Sequence, residues 1–132
     1  MSAFFDTNIL VYSFSENEKR GVALAALSDG GVISVQVLNE LTNVLRKKQM
    51  RDWRTIESAL SVLRLRFPDI VPLTAQLHET ALPLARDHGL TIYDALIVAA
   101  AFEAGCDTLF SEDLQHDRVF GRVTIRNPFR EG

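Results

Sequence analysis

Four of the seventeen Asp and Glu residues in this chain stand where a solvated surface does not account for them. Asp6 follows an apolar run, "AFF". Glu40 is flanked by Leu38 and Leu41 in "SVQVLNEL". Asp94 lies in "TIYDALIVAAA", and Asp113 in "LFSED", just past another apolar run. A carboxylate next to a core element is expensive to bury unless something pairs with it. If the four converge, repulsion opposes them: two carboxylates about 4 Å apart cost about 4 kcal/mol at an effective dielectric of 20. No Lys or Arg adjoins any of the four in sequence. A hard divalent cation, Mg²⁺ or Mn²⁺, prefers carboxylate oxygens and supplies the missing charge. With three His and one Cys, a zinc site of His and Cys ligands does not fit. Carboxylate-held Mg²⁺ suits phosphodiester hydrolysis, where it acidifies a water, orients the phosphate and stabilises the leaving oxygen.

Each acid also has a structural reading. Asp6 or Asn8 can cap a helix starting at Ile9. Thr91-x-x-Asp94 has the form of a capping box. Ser111 or Asp113 can cap a short helix through Leu114, and Glu40 can lie on the solvent edge of its helix. Any one of these explains one acid; four acids, each beside a core element, call for a shared explanation.

The elements that must position these residues follow from patterning. "SAFFD" predicts a short buried strand and "NILVYSFS" a helix leaving it. Residues 17–28 predict a second helix with Val22, Ala23, Ala26 and Leu27 inward, ended by Gly30–Gly31. "VISV" predicts a strand, and Val35 to about Gln49 a helix with Leu38, Leu41 and Leu45 on one stripe. Asp52 opens a helix in which Trp53, Ile56, Leu60, Leu63 and Phe67 form an apolar seam, more naturally internal core than a dimer interface. "DIVPL" predicts an edge strand, and Thr74 opens a helix that Pro83 should kink or break and Gly89 should end. Thr91 to Ala104 is nearly all apolar and should cross the middle of the fold. "DTLF" and the alternating "RVTIRNPF" predict the last strands. Strands separated by helices give one α/β domain over residues 1–132, with a mainly parallel sheet whose sites form beyond the carboxyl ends of the strands.

Composition narrows the classes. A chain 47% hydrophobic and 23% charged is globular rather than disordered. The single Cys106 excludes an internal disulfide and suits a cytoplasmic setting; no signal-like or membrane-spanning run is expected. A formal net charge of −3 argues against a nonspecific DNA coat, though not against a nuclease.

"FFDTNIL", "SVQVLNEL", "TIYDALIVAAA" and "LFSED" resemble, in that order, the acidic motifs of PIN-domain ribonucleases, above all VapC-type toxins of bacterial toxin–antitoxin pairs. "VTIRNPF" resembles the end of that group, so the likeness runs from residue 3 to about 129. It implies a three-layer α/β/α sandwich with a central parallel sheet. It implies an acidic site of Asp6, Glu40, Asp94 and Asp113, in which Asp6 and Asp94 most directly hold Mg²⁺ (or Mn²⁺) and Glu40 and Asp113 complete it. Asn8 and Ser111 match supporting positions. The implied reaction is endonucleolytic hydrolysis of RNA to a 5′-phosphate and a 3′-hydroxyl. The implied partners are a cognate antitoxin, whose tail lies in a groove near the acidic site, and a second toxin copy; Leu10, Tyr12 and Phe14 line that groove unless core packing claims them. His116–Asp117 departs from the pattern; Asp117 reads as a surface charge or a spare ligand. For RNA, Arg46, Lys47 and Lys48 follow Glu40 on one helix, roughly 9–12 Å away at 1.5 Å rise per residue. The arginines of the C-terminal tail are a second candidate.

The rivals lack parts. A phosphotransferase of the haloacid-dehalogenase type needs a second Asp where Asn8 stands, and it and a receiver domain both need a late Lys, which a chain with lysines only at 19, 47 and 48 lacks. No G-x-S-x-G motif supports a serine hydrolase. A PIN nuclease of general RNA processing and a non-catalytic RNA- or partner-binding module remain as alternatives.

Overall fold

A computed structural model describes residues 2–130. Strand β1 (Ala3–Phe5) is buried along its whole length. Its rings explain why: Phe4 and Phe5 point to opposite faces, and both are fully buried. Phe5 stacks on Phe110 at 5.6 Å and meets Phe67 edge-on at 5.9 Å. Helix α1 (Thr7–Ser13) leaves β1 directly, and α2 (Arg20–Leu27) packs against α1. Strand β2 (Ile33–Ser34) then leads into α3 (Val35–Asn43), with Ser34 as N-cap. The chain continues without a break into a π-helical turn, Val44–Lys48. Helix α4 (Trp53–Arg66), strand β3 (Ile70–Val71), helix α5 (Ala75–His88) and helix α6 (Ile92–Glu103) follow. Strands β4 (Thr108–Phe110), β5 (Val119–Phe120) and β6 (Val123–Arg126) close the fold.

Strands β1, β4 and β6 are parallel neighbours, with β5 antiparallel on the far edge of β6. Strands β2 and β3 pair in parallel. A parallel bridge between Phe4 and Val32 joins the two groups, so β1 lies in the middle. The result is a mainly parallel sheet between helices, the expected α/β/α arrangement. Helix α6 supplies seven consecutive buried residues, Ala95–Ala101, and crosses the centre as its composition predicts. Four of them are alanines, which lets α5 pack close. Among the described residues, no helix is long and apolar enough to cross a membrane.

Two local expectations need correcting, and two more are narrowed. Val22 is 41% exposed, because the inward face of α2 is only as wide as Ala23 and Leu27. Trp53 is 53% exposed; at the first turn of α4 it lies beyond the seam that Ile56, Leu63 and Phe67 bury, and Arg46 stacks on its ring at 5.1 Å. Leu10 is fully buried in the core, so it lines no groove. Helix α5 runs unbroken through Pro83, which is exposed, as is Glu79, the residue whose carbonyl loses its partner.

Candidate active site

The backbone delivers Asp6 to the carboxyl end of β1, where the Asp6 N–H still bonds to the Phe110 carbonyl at 2.9 Å. From there Asp6 is the N-cap of α1 and is 3% exposed. Its Oδ1 accepts the Thr7 N–H at 2.7 Å, and its Oδ2 accepts the Ser111 hydroxyl at 2.7 Å. Ser111 also accepts the Leu114 N–H at 3.1 Å, so the loop after β4 is pinned to β1 through one hydroxyl. The capping reading of Asp6 is therefore correct but incomplete. A cap needs no burial, and this one is buried.

Glu40 projects from α3 toward the same edge. Thr7 Oγ1 donates to its Oε1 at 2.9 Å, and Gln36 Nε2 donates to its Oε2 at 2.9 Å. Asn8 holds the fourth acid: its Nδ2 donates to Asp113 Oδ2 at 3.0 Å, while its Oδ1 accepts the Glu112 N–H at 3.1 Å. Asp94 is half-buried in the first turn of α6, and Thr91 caps that helix through the Asp94 N–H at 3.1 Å. Only half of the capping box forms: the Thr91 hydroxyl accepts the Asp94 N–H, but the Asp94 carboxylate does not take up the Thr91 backbone N–H in return.

Electrostatics links the four. Burial pushes the Asp6 carboxyl up to about 7; hydrogen bonds from Ser111 and Thr7 pull against this, and the charges of Glu40 and Asp113 add to it. Burial also raises Asp94, with the charge of Asp113 behind it and a Thr91 hydrogen bond opposing. Glu40, Asp6, Asp113 and Asp94 thus form a chain of mutually felt negative charges. Among the described residues, none of the four pairs with Lys or Arg. The expected single crowded pocket is not reached, however. Among the described residues, no three Asp, Glu, His or Cys side chains are grouped tightly enough to enclose one ion. Repulsion and separate hydrogen bonds keep them apart, Glu40 on Thr7 and Gln36, Asp113 on Asn8. The donor set nonetheless fits a hard divalent cation: oxygen ligands only, one deeply buried carboxylate carrying uncompensated charge, and open faces on Glu40, Asp94 and Asp113.

Two hollows meet at this cluster. A cleft of about 500 Å³ has Thr7, Asn8, Glu40, Asn43, Lys48 and Asp113 among its lining residues. Glu40 and Asn43 also line a shallower pocket that holds Tyr93 and Asp94. Of the predicted basic trio, Lys48 reaches the cleft wall, while Arg46 is turned away to the Arg51 carbonyl at 3.1 Å and the Trp53 ring. Lys47 is exposed. Asp117 is exposed, adopts φ 67° and is paired with Arg126, as a surface charge would be.

Sequence reasoning missed several participants. Thr7 and Gln36, which fix Glu40, were visible only as neighbours: Thr7 in "DTN", Gln36 one turn before Glu40. Tyr12 and Glu112 line the cleft and form a second cluster with Lys19. Tyr12 Oη donates to Glu112 Oε1 at 2.6 Å, Lys19 pairs with Glu112, and Lys19 lies 5.0 Å from the Tyr12 ring. Burial raises the Glu112 carboxyl, but hydrogen bonds from Lys19 and Tyr12 outweigh it and leave it lowered. On another face, α2 and α4 enclose an apolar groove of about 360 Å³ lined by Phe14, Leu24, Leu27, Val62, Leu63 and Phe67. Leu24 and Val62 are 46% and 55% exposed there.

A parallel α/β sandwich with uncompensated carboxylates at the carboxyl edge of its central strand is an acidic-site α/β domain. The chain belongs to the PIN-domain family, whose model matches residues 3–121. Among solved structures, it is similar to VapC20 of Mycobacterium tuberculosis, a toxin that cleaves the sarcin–ricin loop, with a TM-score of 0.71 and 21% identity over 85% of this chain and 92% of that one. A toxin–antitoxin complex from Klebsiella pneumoniae gives a TM-score of 0.74 and 23% identity, covering 98% of this chain and 100% of that one. VapBC2 of Rickettsia felis, bound to a DNA fragment from its promoter, gives 0.67 and 21%, covering 96% and 98%. A sequence search among curated proteins returned no match.

Proposed function

We propose that this chain is a divalent-cation-dependent endoribonuclease and the toxin of a VapBC-type toxin–antitoxin pair. The observation that supports it most is the buried Asp6 carboxylate, raised to about 7 and coupled to Glu40 and Asp113 with no basic side chain to relieve it. In this reading Asp6 and Asp94 hold Mg²⁺ (or Mn²⁺), and Glu40 and Asp113 complete the site. A cation held there would offset the charge of the cluster and would supply Lewis-acid chemistry to a phosphate and a water. The chain's own residues do the rest. Ser111 and the Thr7 N–H fix the two oxygens of Asp6. Thr7 and Gln36 aim Glu40, and Asn8 aims Asp113. Lys48 on the cleft wall offers a cation to a flanking phosphate. Arg46 and Lys47, just before Lys48 in the same turn, add to the field that draws the strand in. No side chain acts as nucleophile, and hydrolysis leaves a 5′-phosphate and a 3′-hydroxyl.

The apolar groove between α2 and α4 is the docking place in this reading for a cognate antitoxin segment, with Arg66 at its edge. Its support is the exposure of Leu24 and Val62 together with the likeness to a toxin–antitoxin complex. Of the three residues expected to line a groove near the acidic site, Tyr12 lines the cleft beside the acids, Phe14 lines this groove on another face, and Leu10 is core. A toxin homodimer and a cytoplasmic location complete the reading.

The test is cleavage of total RNA by purified protein with Mg²⁺, with EDTA, and by Asp94→Asn. Loss of cleavage in EDTA and in the variant, with 5′-phosphate ends on the wild-type products, is expected. Undiminished cleavage by Asp94→Asn, or cleavage indifferent to EDTA, refutes the assignment.

A further inference from the structure

We infer that the shallow pocket beside the acids receives an unpaired RNA base flanking the scissile phosphate, with Tyr93 as its stacking platform. The inference rests on the ribonuclease reading above. The pocket is lined by Gln36, Asn39, Glu40, Asn43, Tyr93 and Asp94. Two of these are site acids, so a strand lying on the acids passes its mouth.

Tyr93 breaks the pattern of its helix. Residues Ala95–Ala101 of α6 are all buried, yet Tyr93, in the first turn, is 61% exposed. An aromatic ring gains most by burial. Core packing therefore does not explain a tyrosine at the solvent end of the most apolar helix, one residue from Asp94. Across from it, α3 carries a stripe of amides. Gln36, Asn39 and Asn43 recur at spacings that share one helix face with Glu40. Gln36 is engaged with Glu40, whereas Asn39 and Asn43 are exposed.

An exposed ring facing side-chain amides is what recognition of single-stranded RNA requires. A ring accepts the face of any base, and amides offer both donors and acceptors to a base edge. The ridge of Glu40 and Asn43 separates this pocket from the larger cleft, and Lys48 lines the cleft. A strand crossing the ridge places a phosphate over the acids, with a cation on one flank and a base on Tyr93 on the other. Stacking then sets affinity, and Asn39 and Asn43 set preference among bases.

The experiment measures fluorescence anisotropy of labelled single-stranded RNA hexamers, with Ca²⁺ in place of Mg²⁺ to hold back cleavage. A single abasic nucleotide is walked along the hexamer. Tyr93→Ala should weaken binding of the intact hexamer about tenfold to a hundredfold, the usual loss for one base–aromatic stack. Tyr93→Phe should stay within about twofold, since the face of the ring is kept. One abasic position should reproduce the loss in wild type and add nothing further in Tyr93→Ala. Wild-type affinity in Tyr93→Ala overturns the proposal, as does a loss that adds independently at every abasic position. So does a Tyr93→Ala change in sedimentation without a change in RNA affinity, which assigns Tyr93 to a protein interface. If wild type neither binds nor cleaves RNA, the ribonuclease reading falls too. If wild type cleaves RNA and Tyr93→Ala matches it in affinity and cut sites, only the Tyr93 inference falls.

Discussion

Replacing Asp6 by Asn should stabilise the cation-free protein at neutral pH, although Asp6 is bonded on both oxygens. The argument is one of linkage. The Asp6 carboxyl is raised from 3.8 to about 7 in the folded chain, chiefly by burial, and is 3% exposed, so solvent screens it little. Between pH 4 and pH 7 the folded state keeps a proton that the unfolded state has lost. Stability therefore falls as pH rises through that window, and the loss is complete above it. About 3 units at 1.36 kcal/mol each gives at most about 4 kcal/mol. Asn removes the charge at the same shape. Its Oδ1 can still accept the Thr7 N–H, and its amide can donate to Ser111 Oγ, which already accepts from Leu114. The Ser111 hydroxyl then loses its acceptor, at a cost of about 1 kcal/mol.

The net expectation for Asp6→Asn is a gain of about 2 kcal/mol or more at pH 8 in EDTA, a rise in Tm of roughly 6 °C. At pH 4 the variant should be level with wild type or about 1 kcal/mol less stable, so the two curves cross near pH 5. Urea titrations at pH 4, 6 and 8 in EDTA read this directly, and repeating them with Mg²⁺ supplies the second arm. Wild type should gain about 1.4 kcal/mol at tenfold excess over the dissociation constant, and the variant much less. A variant less stable than wild type at pH 8 in EDTA, by an amount that does not change with pH, refutes the reasoning. In that case the hydrogen bonds, not desolvation, govern Asp6.

Two further predictions concern the scaffold. Gly31→Ala should cost about 2–3 kcal/mol by urea denaturation, because a Cβ there would lie 2.5 Å from the buried Phe5 ring and 2.6 Å from the Ala3 carbonyl; an unchanged midpoint would mean that β1 yields without penalty. Met50→Gly should raise stability by about 0.5 kcal/mol, since Met50 holds φ 55° just past the π-helical turn and is 81% exposed, so little packing is lost; a lower midpoint would show that the left-handed turn is not strained.

What the sequence discloses is local and what it withholds is long-range. Asp52, Thr74 and Thr91 announce their helices because a cap bonds within three residues of itself. The burial of Leu38, Leu41 and Leu45 follows from helical spacing. That same spacing hides the π-helical turn: Leu45 stays buried through it, so the apolar stripe gives no sign that Arg46 has been turned toward Trp53 while Lys48 reaches the cleft. The acids themselves were legible as outliers from surface logic. Their mutual placement was not, because it depends on Thr7 reaching Glu40 across 33 positions and on Ser111 reaching Asp6 across 105.

The Tyr12–Lys19–Glu112 cluster shows the limit most clearly. Lys19 reads as a solvated lysine and Glu112 as one acid of a polar loop, yet 93 positions apart they pair beside the cleft. The pair joins the start of α2 to the loop that also carries Ser111 and Asp113. Lys19 is thereby held by Glu112 and not by the site acids, while Lys48 lines the cleft without pairing with any of them. Among the described residues, none of Asp6, Glu40, Asp94 and Asp113 is paired with a lysine or arginine, so the cluster keeps its negative charge. A carboxylate site that must attract a divalent cation needs just such an arrangement, since a lysine in direct contact would supply the counter-charge itself.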